Sequence, residues 1–90
     1  MIKIDFTNIE VPVHFDGRKQ RFNIAEVLGN GMMFNGNIIL DIGFEELAKE
    51  IYYSKGEVEV PEKYAPYIVQ LVMDSNLNAA IKRYLRDTLK

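Results

Sequence analysis

The sequence predicts an α+β domain: an N-terminal antiparallel β-hairpin, with residues 57–60 as a candidate third strand, packed against three or four α-helices. Three observations point there. Ile9, Val11, Val13 and Phe15 alternate with Glu10, Pro12 and His14, the period of a half-buried strand, and lead into Asp16-Gly17. Phe44, Leu47, Ala48 and Ile51 follow the i, i+3, i+4, i+7 spacing of an amphipathic helix. Ninety residues, 48% hydrophobic and 27% charged, suffice for one core and not for two, so 1–90 reads as a single domain.

Taken in order, Ile2, Ile4 and Phe6 alternate, but the phase changes across Thr7-Asn8. Either a separate first strand or one long bulged strand satisfies that pattern. Asp16-Gly17 is the pair expected in a two-residue type I′ turn, which places Phe15 opposite Arg18, Val13 opposite Gln20, Val11 opposite Phe22 and Ile9 opposite Ile24. The apolar members then share one face, and Glu10, Pro12, His14, Lys19, Arg21 and Asn23 share the other. In this register Pro12 sits in a non-hydrogen-bonded pair, so it leaves the hairpin intact while blocking pairing on its outer side; residues 9–15 read as an edge strand.

Asn23 with Glu26 is a variant capping box ahead of Ile24, Val27 and Leu28, opening a helix that runs to Phe34 or frays near Asn30. Gly29 and Gly31 weaken it by about 1 kcal/mol each relative to alanine. Asn35-Gly36-Asn37 is a turn. The strongest helix spans 43–55, with Glu45 and Glu46 in the first turn, Lys55 in the last and Gly56 as its stop. Glu57 to Val60 alternates as a short strand, and Pro61 suits a helix start. A helix over 61–74 carries Tyr64, Ile68, Leu71 and Val72, with Pro66 in its first turn or at a bend. A last helix over 76–89 carries Leu77, Ala80, Ile81, Tyr84, Leu85 and Leu89 on one side.

Composition narrows function by exclusion. There is no cysteine and one histidine, the first residues lack the apolar core of a signal peptide, and the apolar runs are far shorter than a membrane span. A cytoplasmic protein without disulfides, cofactor, metal or membrane association is the expectation. His14 and Asp16 are two ligands where zinc wants at least three, and the expected register sets His14 across from a repelling Lys19. Ser54 and Ser75 lie near helix ends with no strand–serine–helix elbow, so nucleophilic catalysis has little to build on. Glu45, Glu46 and Glu50 fall on the solvent side of their helix, and Gly29-Asn30-Gly31 has Phe34 where a dinucleotide loop needs its third glycine. No enzyme and no small-molecule ligand are expected.

Two features point to partners. Residues 41–63 carry three lysines against seven acids, whereas 76–90 carry four basic groups against Asp87. This asymmetry suggests charge-complementary packing within a chain or between copies. Tyrosine combines apolar area with a polar tip and is favoured at interfaces; Tyr52 and Tyr53 cannot both face the core, and Tyr67 opens the next helix. These three are the candidate protein interface, although packing over a thin core accounts for any one of them. The alternative is phosphate contact by Arg18, Lys19 and Arg21 of the hairpin with Lys82, Arg83 and Arg86 of the last helix. Asp87, four residues after Arg83, is spaced for an ordinary salt-bridged surface instead.

The order of segments resembles small uncharacterised proteins from phages and mobile elements of gut bacteria. The resemblance lies in the hairpin around Asp16-Gly17, the Leu28-Gly29-Asn30 helix, Glu46-Leu47-Ala48-Lys49-Glu50-Ile51-Tyr52, Gly56-Glu57-Val58-Glu59 and Ala80-Ile81 in a closing helix. It implies an accessory or structural protein and transfers no site residues. The expectation is therefore a non-catalytic protein-interaction or structural component, self-association included; a nucleic-acid-binding accessory factor is the alternative.

Overall fold

Asp5 divides the N-terminal run in two. In the computed structural model, which describes residues 2–34 and 41–89, the Asp5 carboxylate accepts hydrogen bonds from the Thr7 amide at 3.0 Å and from the Thr7 hydroxyl. The Asn8 amide donates to the Asp5 carbonyl at 3.1 Å. This side-chain-closed turn separates β1 (Ile2–Ile4) from β2 (Ile9–Pro12) and leaves Phe6 fully buried. Of the two arrangements the phase change allowed, the separate strand is the one formed.

β2 pairs antiparallel with β3 (Lys19–Phe22), whereas β1 pairs with β4 (Val58–Val60), Ile2 opposite Val60 and Ile4 opposite Val58. The short strand expected over 57–60 thus forms, but it extends β1 and not the hairpin. Among the described residues two two-stranded sheets result.

The hairpin register differs from expectation by two residues. Ile9 stands opposite Phe22, Val11 opposite Gln20 and Pro12 opposite Lys19, and the Val13 amide bonds the Arg18 carbonyl at 2.9 Å. The loop is therefore His14–Gly17, closed by the Gly17 amide on the His14 carbonyl at 3.1 Å. A type I′ turn needs positive φ at both central residues. Among the described residues only Gly17, at φ 88°, has positive φ. The longer loop keeps Asp16 out of the left-handed region and lets its carboxylate accept from the Arg18 amide at 3.1 Å. His14 consequently lies in the loop, and Pro12, not His14, faces Lys19. Val13 and Phe15, expected on the buried face, are exposed.

The first two helices are α1 (Ala25–Phe34) and α2 (Ile42–Tyr52). Asn23 accepts from the Ala25 amide at 3.1 Å at the start of α1. α2 opens on Asp41, whose carboxylate accepts from the Gly43 and Phe44 amides at 2.8 and 3.4 Å. It stops before Lys55: Tyr53 leaves the helix, its amide reaching the Lys49 and Ile51 carbonyls, and the Ser54 hydroxyl donates to the Ile51 carbonyl at 2.7 Å. A 3₁₀ turn (Glu62–Tyr64) leads into α3 (Ala65–Met73), with Pro66 in the first helical turn, where its missing amide is harmless. α4 (Ala79–Thr88) starts later than expected, because the Asn78 side chain accepts from the Ile81 amide at 2.9 Å and caps it there. The turn at 35–37 falls outside the described residues.

α1 lies along α2, α3 packs on α4 and α1, and α4 packs on both α3 and β2. One core joins them. Phe6, Phe44, Ile51, Val60, Ile68 and Leu85 are all fully buried, and no described polar or charged residue is buried with them. The radius of gyration, 12.6 Å, is near the roughly 12 Å expected for a folded chain of this length.

Candidate protein-interaction surface

Gly29 decides how α1 meets α2. A Cβ there would lie 2.7 Å from the Tyr52 Cβ and 2.8 Å from the Ala48 carbonyl oxygen, so only glycine allows this approach. Beside the crossing, the two helices leave an open groove of about 340 Å³ whose walls include Met33, Phe34, Ala48, Lys49, Tyr52 and Tyr53. Phe34 is 76% exposed and Tyr53 75%. Tyr52 is half-buried, and its ring meets that of Tyr53 edge to face at 4.8 Å. One tyrosine packs inward and its neighbour covers it from outside, as their adjacency requires.

Tyr67 belongs elsewhere. Its exposed ring stands edge-on to Phe44, centroids 6.4 Å apart, and Phe44 precedes Tyr52 by eight residues, about 12 Å along the helix axis. The three candidate tyrosines are split between two places. Met33 and Phe34 complete the groove and were not singled out from sequence. Their signal was the apolar excess of α1: Ala25, Val27, Leu28, Met32, Met33 and Phe34 fill six of ten positions, more than one buried face needs.

Tyr64, beside Tyr67, has a structural task. Its hydroxyl donates to Asp41 at 2.9 Å and its ring meets Phe44 edge to face at 5.4 Å, joining the start of α3 to the cap of α2. The Tyr64 hydrogen bond, helped by the two capping amides, holds the Asp41 carboxyl below its usual range. Burial, then the adjacent carboxylate, raises the Tyr64 phenol above its own.

The basic residues are largely occupied. Arg18 pairs with Asp16 at 2.9 Å, Arg21 with Glu10 at 3.2 Å and Arg86 with Asp87 at 3.1 Å. Asp87 thus engages its neighbour Arg86 instead of Arg83. Lys82 donates to the Met73 carbonyl at 3.2 Å, satisfying the end of α3. Arg83 lines a groove of about 580 Å³ together with Pro12, Val13, His14 and Phe15 of the hairpin. Among the described residues, His14 and Arg83 are the ionisable side chains lining it, a poor basis for acid–base or metal chemistry. Among the described residues no three His, Cys, Asp or Glu side chains converge to hold a metal, and no described helix is long and apolar enough to cross a membrane.

No family model matches the chain, and no curated protein or solved structure matches it significantly.

Proposed function

We propose that this chain is a non-catalytic protein-interaction or structural component of the cytoplasm, of the accessory kind that the resemblance to phage and mobile-element proteins implies. One observation carries the reading: Phe34 and Tyr53 stand largely exposed at the lip of the α1–α2 groove. Large apolar side chains grouped around a groove and left in water favour a protein partner. The nucleic-acid alternative has weaker support, because Arg18, Arg21 and Arg86 are each neutralised locally by a carboxylate.

The test is Phe34→Glu/Tyr53→Glu, which alters exposed side chains and leaves the core untouched. Light scattering and affinity capture with the wild-type protein should show self-association or a retained partner, weakened at least about tenfold in the double variant. A wild-type protein that stays monomeric and retains nothing would overturn the proposal.

A further inference from the structure

Small residues open a trough at the seam between α4 and the hairpin. Ala79 and Ala80 begin a stripe of α4 that carries Arg83, Tyr84 and Asp87 in its following turns. Pro12, Val13 and Phe15, all exposed, form the hairpin's share of the wall, and the space enclosed is the groove of about 580 Å³. A smaller space of about 220 Å³ shares its Pro12, Ala80 and Arg83 walls and reaches Tyr84. The two therefore run together along one side of α4. None of the residues lining them lines the α1–α2 groove.

The charge left uncompensated in this trough is positive. Arg83 lines both spaces and, among the described residues, meets no carboxylate, whereas Arg18, Arg21 and Arg86 are each paired with one. Glu10 and Asp87 border the smaller space, but Arg21 holds the first and Arg86 the second. His14 brings no negative charge in either of its protonation states. An anionic group arriving at Arg83 meets a guanidinium whose fork of donors suits a carboxylate.

The form of the trough selects among anions. It is long and open, so a compact small molecule would stay mostly wet in it, whereas an extended chain can follow it. Pro12 has no amide to offer, which rules out a full added strand along β2 and leaves side chains to hold the occupant. The apolar wall is ready for one: Phe15, at 114% exposure, has its whole ring available.

We infer that this trough docks an extended acidic segment of another protein. An apolar side chain of that segment settles over Ala79 and Ala80 against Val13 and Phe15, and an aspartate or glutamate beside it pairs with Arg83. The site is additional to the α1–α2 groove and gives the chain a second point of attachment.

Short random peptides displayed on phage are the probe. Selection on the wild-type protein should converge on peptides with an apolar residue beside Asp or Glu. A synthetic copy should shift the backbone amide resonances of Val13, Ala79, Ala80 and Arg83. Arg83→Glu alters an exposed side chain, and circular dichroism confirms that it is folded. It should bind those peptides at least about tenfold more weakly and select peptides with Lys or Arg in place of the acid. Three results would overturn the inference: no enriched peptide, binding indifferent to Arg83→Glu, and a single-stranded oligonucleotide that occupies the trough more tightly than the selected peptides. Peptides lost from Phe34→Glu/Tyr53→Glu but not from Arg83→Glu belong to the α1–α2 groove, which would refute this site and leave the proposed function standing. Peptide capture that needs Arg83, in a protein that retains nothing through Phe34 and Tyr53, would do the reverse.

Discussion

An alanine methyl at position 29 would press on the backbone of α2 at Ala48 and on the Cβ of Tyr52, neither of which is the free end of a flexible side chain. Helix propensity favours alanine by about 1 kcal/mol, and the overlap at the crossing opposes it by about 1–3 kcal/mol. Gly29→Ala should therefore lower the thermal midpoint by several degrees in a circular dichroism melt; an unchanged or raised midpoint would show that the helices can separate freely. The Asp41–Tyr64 pair makes a different kind of prediction. Asp41 has a lowered folded-state pKa, so its stabilisation is present above the ordinary carboxylate range and lost as pH falls through the folded value. Tyr64 has a raised one, so its contribution is present below the ordinary phenol range and lost as pH rises through the folded value. The melting temperature should hold between about pH 5 and pH 9 and fall outside that window. Tyr64→Phe should flatten the alkaline fall and reduce the acid one relative to wild type; parallel profiles for the two proteins would contradict this. The inward and outward division of Tyr52 and Tyr53 was legible from adjacency alone. Tyr64 was legible only as an apolar stripe position, since its partner lies 23 residues away.

At the scale of elements, the hairpin shows what a hydrophobic pattern can and cannot specify. A slip by one residue would turn every side chain to the wrong face, and the alternation forbids it. A slip by two preserves the faces, so Val11 meets Gln20 instead of Phe22 without any change in the pattern. It also preserves the hydrogen-bond phase at Pro12, which remains in a non-bonded pair. The two registers differ in the turn: here Gly17 alone of the pair has positive φ, whereas a two-residue type I′ turn would require it of Asp16 as well. Nothing lies within 4 Å of a Cβ at Gly17, so Gly17→Ala tests the backbone alone. It should destabilise by about 1 kcal/mol in urea titration, while Gly56→Ala, also open but without positive φ, should be neutral or slightly stabilising. Equal effects at both sites would refute the turn assignment. Helix positions were readable from periodicity, but their ends were not. α2 and α4 are bounded by Ser54 and Asn78, whose side chains reach backbone groups three residues away, and competing caps nearby were equally plausible in sequence.

Across the whole molecule, the α+β class and the helix count followed from periodicity, because each apolar stripe needs a neighbour to cover it. The pairing of strands did not, since Val58 and Val60 would fit the hairpin edge as well as they fit Ile4 and Ile2. Charge asymmetry was likewise visible in outline. Its distribution into small local pairs, Arg18 with Asp16 and Arg21 with Glu10, depended on the loop and the register. The exposed Phe15 was the least legible feature, because alternation assigns it to the core and only the four-residue loop releases it.

The union of β1 with β4 has a consequence for synthesis. As the chain leaves the ribosome, the hairpin and the first two helices have all their residues available while the strand that β1 needs, more than fifty positions downstream, has yet to be translated. Until those residues emerge, Ile2 and Ile4 lack the strand they pair with in the folded chain. Completion of the fold is thus tied to a late event joining its first strand to its last.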